Sequence, residues 1–226
     1  MIKYHGTPIT PMSVFEKAVT NKNVLISFAH SGDLNRALKL CNKICLDNGA
    51  FSFWTKGKKV DWNKYYEWVE SNYERIEFFI IPDVIDGTEE ENDKLIKECK
   101  LSKGIPVWHI AESMDRLKRL MKDFDYICFG SSGEFGELGT EKWHKRMNEA
   151  MKIVCDESGK PKVKVHMLRC LDAKLFTQYP FYSGDSTNLA RNHARDGWHN
   201  ILKRIEPYFS PESYKFKTYY ETGSLF

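Results

Sequence analysis

Three aspartates each stand at the C-terminal end of a short apolar run. Asp47 closes Ile44-Cys45-Leu46 and precedes Asn48-Gly49-Ala50-Phe51. Asp83 follows Phe78-Phe79-Ile80-Ile81-Pro82, and Asp185 follows Phe181-Tyr182-Ser183-Gly184 and precedes Ser186-Thr187. Carboxylates at such places act as nucleophiles toward an electrophilic carbon, or as proton donors and acceptors. Taken singly, each has a plainer role. Asp-Asn-Gly is turn chemistry, Pro-Asp suits a turn or cap, and an Asp before Ser-Thr caps a helix. Three in one repeating pattern point to a shared site, provided the runs are parallel strands whose C-terminal ends meet at one mouth.

The other strand ends add His5, His30, His109 with Glu112, Arg169, and the loop Gly130-Ser131-Ser132-Gly133-Glu134. Such a loop cradles a phosphate through backbone N–H groups or lets a flat ring approach the backbone. His109, inside Val-Trp-His-Ile, is either a hydrogen-bonded core histidine or a ligand contact. His166 is read as core. Phe51, Phe53 and Trp54 either stack on a base or pack under the next helix. Lys56-Gly57-Lys58-Lys59 and the late segment with Arg191, His193, Arg195, His199, Lys203 and Arg204 are basic. Basic and aromatic residues interleaved in this way suit phosphates and bases, or an ordinary solvated face. The histidines and acids lack metal-ligand spacing, so neither a metal nor a cofactor is expected.

Those residues need a scaffold. Apolar runs at 2–5, 24–30, 44–46, 77–81, 106–110, 126–129, 163–168 and 180–183 read as strands. Several are continuous rather than alternating, as in strands covered on both faces. Between them, helix-period stretches occupy 13–19, 33–40, 61–73, 88–101, 113–124, 140–156 and 172–179. Asp33 opens one as a capping residue, and Thr88-Glu89-Glu90-Glu91 opens another as a capping box. Alternating strands and helices predict a parallel sheet, and eight such units, with the stretch from Asn188 on supplying the eighth helix and a tail, predict a compact (β/α)8, TIM-like barrel. The runner-up is an open α/β sheet. The first turn, His5-Gly6-Thr7-Pro8, lacks its phosphate fingerprint, and no Walker A sequence occurs.

With 226 residues the chain reads as one domain, 1–226, with a tail from about 205. The stretch 215–220 reads as an extra strand or a docking arm. Six scattered cysteines without a CxxC pair, no signal peptide and no long apolar segment imply a cytoplasmic protein away from membranes. A net charge of +3 does not by itself name a nucleic-acid partner.

The ordered motifs resemble a family. Asp47-Asn48-Gly49-Ala50-Phe51-Ser52 is similar to the Asp-Ser-Gly-Gly/Ala-Phe element of tRNA-guanine transglycosylases. Pro82-Asp83-Val84 resembles their base-recognising segment, and Gly130–Glu134 their glycine loop ending in Glu. Val165-His166-Met167-Leu168 resembles their His/Leu-Met-Gly strand, and Ser183-Gly184-Asp185-Ser186 the segment of their nucleophilic Asp. The short chain and the Asp-Ser-Thr element look closer to the phage and bacterial enzymes that place 7-deazaguanines in DNA. Three departures stand out. The CxCxxC zinc subdomain has no counterpart, Arg169-Cys170 replaces glycines, and Trp108-His109 replaces a pocket Gln.

The resemblance implies cleavage of a base–sugar N-glycosidic bond. Asp185 is implied as nucleophile and Asp47 as acid/base. Asp83, His109, Gly130, Ser131, Gly133, Glu134, Met167 and Phe51 are implied as base-pocket residues, and Arg191, Arg195, Lys203 and Lys58 as phosphate contacts. The partners are a DNA or tRNA substrate and a free modified base. An oligomer or helper proteins stay open. So do a hydrolytic DNA glycosylase, a non-catalytic nucleic-acid-binding barrel and a barrel enzyme acting on a small phosphorylated metabolite.

Overall fold

A computed structural model describes residues 1–205, and the stretch 215–220 lies outside the described residues. Nine parallel strands form one sheet: β1 (Ile2–Gly6), β2 (Asn23–Ser27), β3 (Ile44–Asp47), β4 (Phe78–Ile80), β5 (Gly104–Ile105), β6 (Val107–His109), β7 (Tyr126–Gly130), β8 (Lys164–Met167) and β9 (Ser183–Ser186). Their order is β5-β4-β3-β2-β1-β9-β8-β7-β6. The two ends of that order are adjacent in the chain, because only Pro106 separates β5 from β6. β5 pairs with β4, and β6 pairs with β7. The sheet is thus nearly closed, consistent with a TIM-like barrel.

The strand expected at 106–110 is β6, and a further short strand, β5, precedes it across Pro106. Proline has no N–H to donate, so the ladder breaks there. The Pro106 carbonyl still accepts from Cys128 N at 2.8 Å. Two other strands differ from expectation. β2 ends at Ser27, where the chain turns into a 3-10 stretch over Phe28–Asp33. β9 begins at Ser183, the residue where the apolar run ends, because the strand continues through small and polar residues.

Ten helices lie among the described residues: α1 (Met12–Val19), α2 (Leu34–Leu40), α3 (Ala50–Trp54), α4 (Trp62–Glu70), α5 (Glu89–Glu98), α6 (Met114–Asp123), α7 (Glu141–Val154), α8 (Ala173–Phe176), α9 (Asn188–Asp196) and α10 (Trp198–Arg204). The short α3, directly after Asp47, has no counterpart in the sequence pattern. Side-chain caps start α4 (Asp61), α5 (Thr88), α6 (Ser113), α7 (Thr140) and α8 (Asp172), each contributing about 1 kcal/mol. The Thr88–Glu91 capping box is formed in full. Asp33 does not cap α2. Its carboxylate instead accepts from Ile9 N at 3.1 Å and pairs with Arg36.

Strand parity sorts the side chains. One set fills the barrel interior: Tyr4, Leu25, Cys45, Phe78, Ile80, Ile105, Val107 and Cys128. The alternate set packs under the helices. Val24, Ile26, Leu46 and Phe79 meet α1, α2 and α4, while Trp108, Ile127, Phe129 and Met167 meet α6 and α7. Trp62, Tyr65, Tyr66, Val69 and Tyr73 share the face expected of them in the first of these layers. The interior set is a packed plug, and the strand-end residues look onto open space above it, at the C-terminal ends of the strands. Among the described residues no helix is long and apolar enough to cross a membrane.

Candidate active site

Above the plug is a cavity of about 680 Å³. Asp47, Asp83 and Asp185 all line it, with Ser27, His30, Asn48, Phe51, His109, Gly130, Ser131, Arg169 and Arg191. Parity puts them there. Asp47 follows Cys45 by two residues, His109 follows Val107, Gly130 follows Cys128, and Asp185 pairs in register with inward-facing Tyr4. A larger space of about 810 Å³ at the opposite, N-terminal end is lined by Lys103, Asp123, Phe124 and Tyr126. It holds none of the strand-end acids, so the candidate site is the upper cavity.

Asp47 is the last residue of β3. Its Oδ2 accepts from Gly49 N at 3.0 Å, closing a tight turn in which Gly49 takes φ +78°. A Cβ at Gly49 would come within 3.0 Å of Ala29 N, so glycine is required both for that conformation and for that approach. The turn reading and the cavity reading are thus both features of one residue. Burial, reinforced by the charges of Asp185 and Asp83, raises the Asp47 pKa from 3.8 to about 7.

Asp83 is buried, accepts a hydrogen bond from Asn48 and pairs with His109. Asn48 Nδ2 reaches Oδ1 at 2.7 Å, and His109 Nε2 lies 2.9 Å from Oδ2. Asn48 also donates to Ile81 O and accepts from Ala50 N, which ties α3 to β4. Burial alone would lower the His109 pKa, but the Asp83 carboxylate and the nearby Glu112 charge outweigh it and the pKa is raised. The Glu112 carboxylate accepts from His109 N at 2.8 Å and pairs with Arg116, a fully buried guanidinium that also binds Asp93 and the Val107 carbonyl. Glu112 therefore supports His109 from behind and does not line the cavity.

Asp185 is buried within β9 and is not a helix cap. Its Oδ1 accepts from Arg169 N at 3.0 Å and lies 3.3 Å from His166 Nε2. Among the described residues its Oδ2 has no partner. Arg169 sits at φ +60°, stacks 4.3 Å from the centroid of Phe51 and donates to the Ser131 carbonyl. It closes one wall between α3 and the glycine loop, and burial lowers its pKa. At Gly130 a Cβ would come within 3.1 Å of His109 Nδ1. Ser131 is locked by Trp143 Nε1 at 3.0 Å.

Several expected site residues lie elsewhere. Met167 is on the opposite face of β8 from His166, in the outer core under α7. Gly133 and Glu134 turn away from the cavity, and exposed Glu134 pairs with Lys142. His5 faces outward from β1 into a separate space beside Lys22 and Lys43, and burial lowers its pKa to about 4. Arg195 is bound to Asp196 on the surface, and Lys203 is exposed. Lys58 borders a smaller space of about 350 Å³ with Trp54 and Asp83, next to the main cavity. Ser27, Asn48 and the α9 residues Asn188 and Asn192 line the site without having been singled out. Asn48 was hidden by its place inside a turn motif. Among the described residues no group of three or more His, Cys, Asp or Glu side chains is arranged to hold a metal ion.

Comparison with family models, curated proteins and solved structures finds no match to this chain.

Proposed function

We propose that the protein is a nucleobase transglycosylase-like enzyme. It breaks an N-glycosidic bond in nucleic acid, DNA in preference to tRNA, and exchanges the base for a 7-deazaguanine-type base. The observation that carries this reading is the pair of carboxyls at one mouth. Asp185 has an unengaged Oδ2, and Asp47 has a pKa raised to about 7. A carboxylate nucleophile beside an acid/base that titrates near neutrality is what base exchange requires. We count β5 and β6 as one stave of a (β/α)8 barrel, a scaffold in which strand-end residues carry the chemistry.

In this mechanism Asp185 Oδ2 attacks the anomeric carbon as the C–N bond breaks. The electron pair passes to the base nitrogen, and Asp47 delivers a proton, so the base leaves neutral. The incoming base then loses its proton to Asp47 and displaces Asp185 from the sugar. Positive charge at the sugar in each transition state is met by the Asp185 carboxylate. Asp83 Oδ1 takes the Asn48 donor and Oδ2 faces His109, which leaves a lone pair on each oxygen for the base edge. His109, the Gly130–Ser131 backbone and the Arg169–Phe51 stack complete the pocket. A base in duplex must be extruded to reach it. Arg191 at the rim, with Lys58 beside Trp54, suits the flanking phosphates and an unstacked neighbour.

The test is incubation with DNA and with tRNA, with and without a labelled deazaguanine, followed by nucleoside mass spectrometry. Release of a normal base with incorporation of label into DNA is expected. Release without incorporation converts the reading to a glycosylase. A denaturation-resistant DNA adduct should form and vanish in Asp185→Ala. Undiminished turnover in that variant refutes the assignment.

A further inference from the structure

Beneath Asp185 the barrel interior holds a chain of polar side chains that the mechanism above does not use. Tyr126 Oη is 2.5 Å from Ser183 Oγ, and Ser183 Oγ is 2.5 Å from His166 Nδ1. His166 Nε2 is 3.3 Å from Asp185 Oδ1. The chain climbs from the first residue of β7 to the acid at the mouth. His166 and Ser183 are fully buried, and His166 packs against the rings of Tyr4 and Phe78 at 6.0 and 5.5 Å.

With Asp185 taken as the ionised nucleophile and the imidazole as neutral, donors and acceptors in this chain fit one order only. A carboxylate accepts and does not donate, so Nε2 must carry the proton. A neutral imidazole then offers Nδ1 as acceptor, and the Ser183 hydroxyl donates to it. The Ser183 oxygen in turn accepts from Tyr126. Burial pushes the Tyr126 phenol well up, so it keeps its proton and ends the chain as a donor. The reverse order would set a bare Nε2 against a carboxylate oxygen in a dry core, at the cost of an unsatisfied polar pair.

Resting on the reading of Asp185 as nucleophile, we propose that His166 is a positioning residue. Held as its Nε2–H tautomer by Ser183 and Tyr126, it donates to Asp185 Oδ1 together with the Arg169 backbone N–H. Oδ2 is thereby left as the oxygen that meets the anomeric carbon. The carboxylate is clamped through one oxygen from below and from the side, and its free oxygen points where a sugar would sit.

The test uses the whole chain, labelled with ¹⁵N at histidine, and long-range ¹H–¹⁵N correlation. The His166 signals are identified by their loss in His166→Gln. The expected result is a protonated Nε2 and an unprotonated, hydrogen-bonded Nδ1. Ser183→Ala should let the Nδ1–H tautomer appear. It should also slow base release roughly ten- to hundredfold, as loss of a hydrogen bond to a charged group does, with KM for DNA unchanged. His166→Gln, whose side-chain amide still donates, should retain more activity than His166→Leu. A protonated Nδ1 in the unaltered protein overturns the proposal, as does an unchanged kcat in Ser183→Ala. If the unaltered protein releases no base, the nucleophile reading fails alone, and the tautomer measurement still decides the chain.

Discussion

Replacing Asp47 with asparagine should make the protein more stable and less active, and the stability gain should depend on pH. Burial raises the Asp47 pKa from 3.8 to about 7. The folded chain therefore binds this proton more tightly than the unfolded chain does. Below about pH 4 both states are protonated, and the side chain adds no pH-dependent penalty. As pH rises from about 4 to 7 the unfolded chain sheds the proton while the folded chain holds it, so stability falls across that window. Above pH 7 the full cost of the buried charge is expressed. The shift corresponds to about 4 kcal/mol, and partial exposure at the mouth reduces this to about 2–4 kcal/mol. Asn is neutral throughout and keeps an oxygen for the Gly49 N–H. Urea unfolding of Asp47→Asn against the unaltered protein, from pH 4.5 to 8, should show stabilities that differ by no more than about 1 kcal/mol at the acid end. They should separate by about 2–4 kcal/mol at pH 8. A difference that does not change with pH, or an asparagine variant that is less stable at pH 8, refutes the account of Asp47. Base release should be lost in the same variant, because the stored penalty is what places a proton donor near neutrality.

If Asp47 protonates the leaving base, single-turnover release should fall about tenfold per pH unit above about 7, and a flat profile through pH 9 excludes that role. Gly130→Ala should cost about 1–3 kcal/mol in thermal or urea unfolding, because the added Cβ meets His109 Nδ1 and Val107. A melt indistinguishable from that of the unaltered protein would show that the loop relaxes freely. Arg116→Met should cost about 3–5 kcal/mol at pH 8 by leaving Glu112 uncompensated in the core. The cost should shrink as pH falls, because burial raises the Glu112 pKa and its protonated form no longer needs the guanidinium. A loss below about 1 kcal/mol at pH 8 contradicts the pairing described for Arg116.

The parallel α/β layout was legible because continuous apolar strands alternate with capped helices, and these are local signals. The same signals placed Asp47, Asp83 and Asp185 at strand ends, and such ends converge wherever a parallel sheet curls. Short-range chemistry also announced the Thr88–Glu91 capping box. Other features depend on distant partners. The break at Pro106 follows from pairing two different neighbours with one stretch of chain. The extension of β9 through Ser183–Ser186 follows from the ladder with β1, which holds small and polar residues extended. Asp33 leaves its cap because Ile9 N, far away in sequence, needs an acceptor.

The candidate site divides in the same way. Residue type and strand end marked the acids, but strand parity decided which neighbours share their space. A one-residue step separates His166, beneath Asp185, from Met167, packed outside the barrel. Asn48 looked like the middle of a turn, and only the fold sets its amide against Asp83. The chain from Tyr126 through Ser183 and His166 joins three strands, so no window of sequence contains it. Sequence by itself determined the kinds of groups available and the periodicity that builds the scaffold. Tertiary structure decided which carboxyl is dry, which oxygen is free and which proton is held, because solvation and hydrogen-bond partners are properties of neighbours in space.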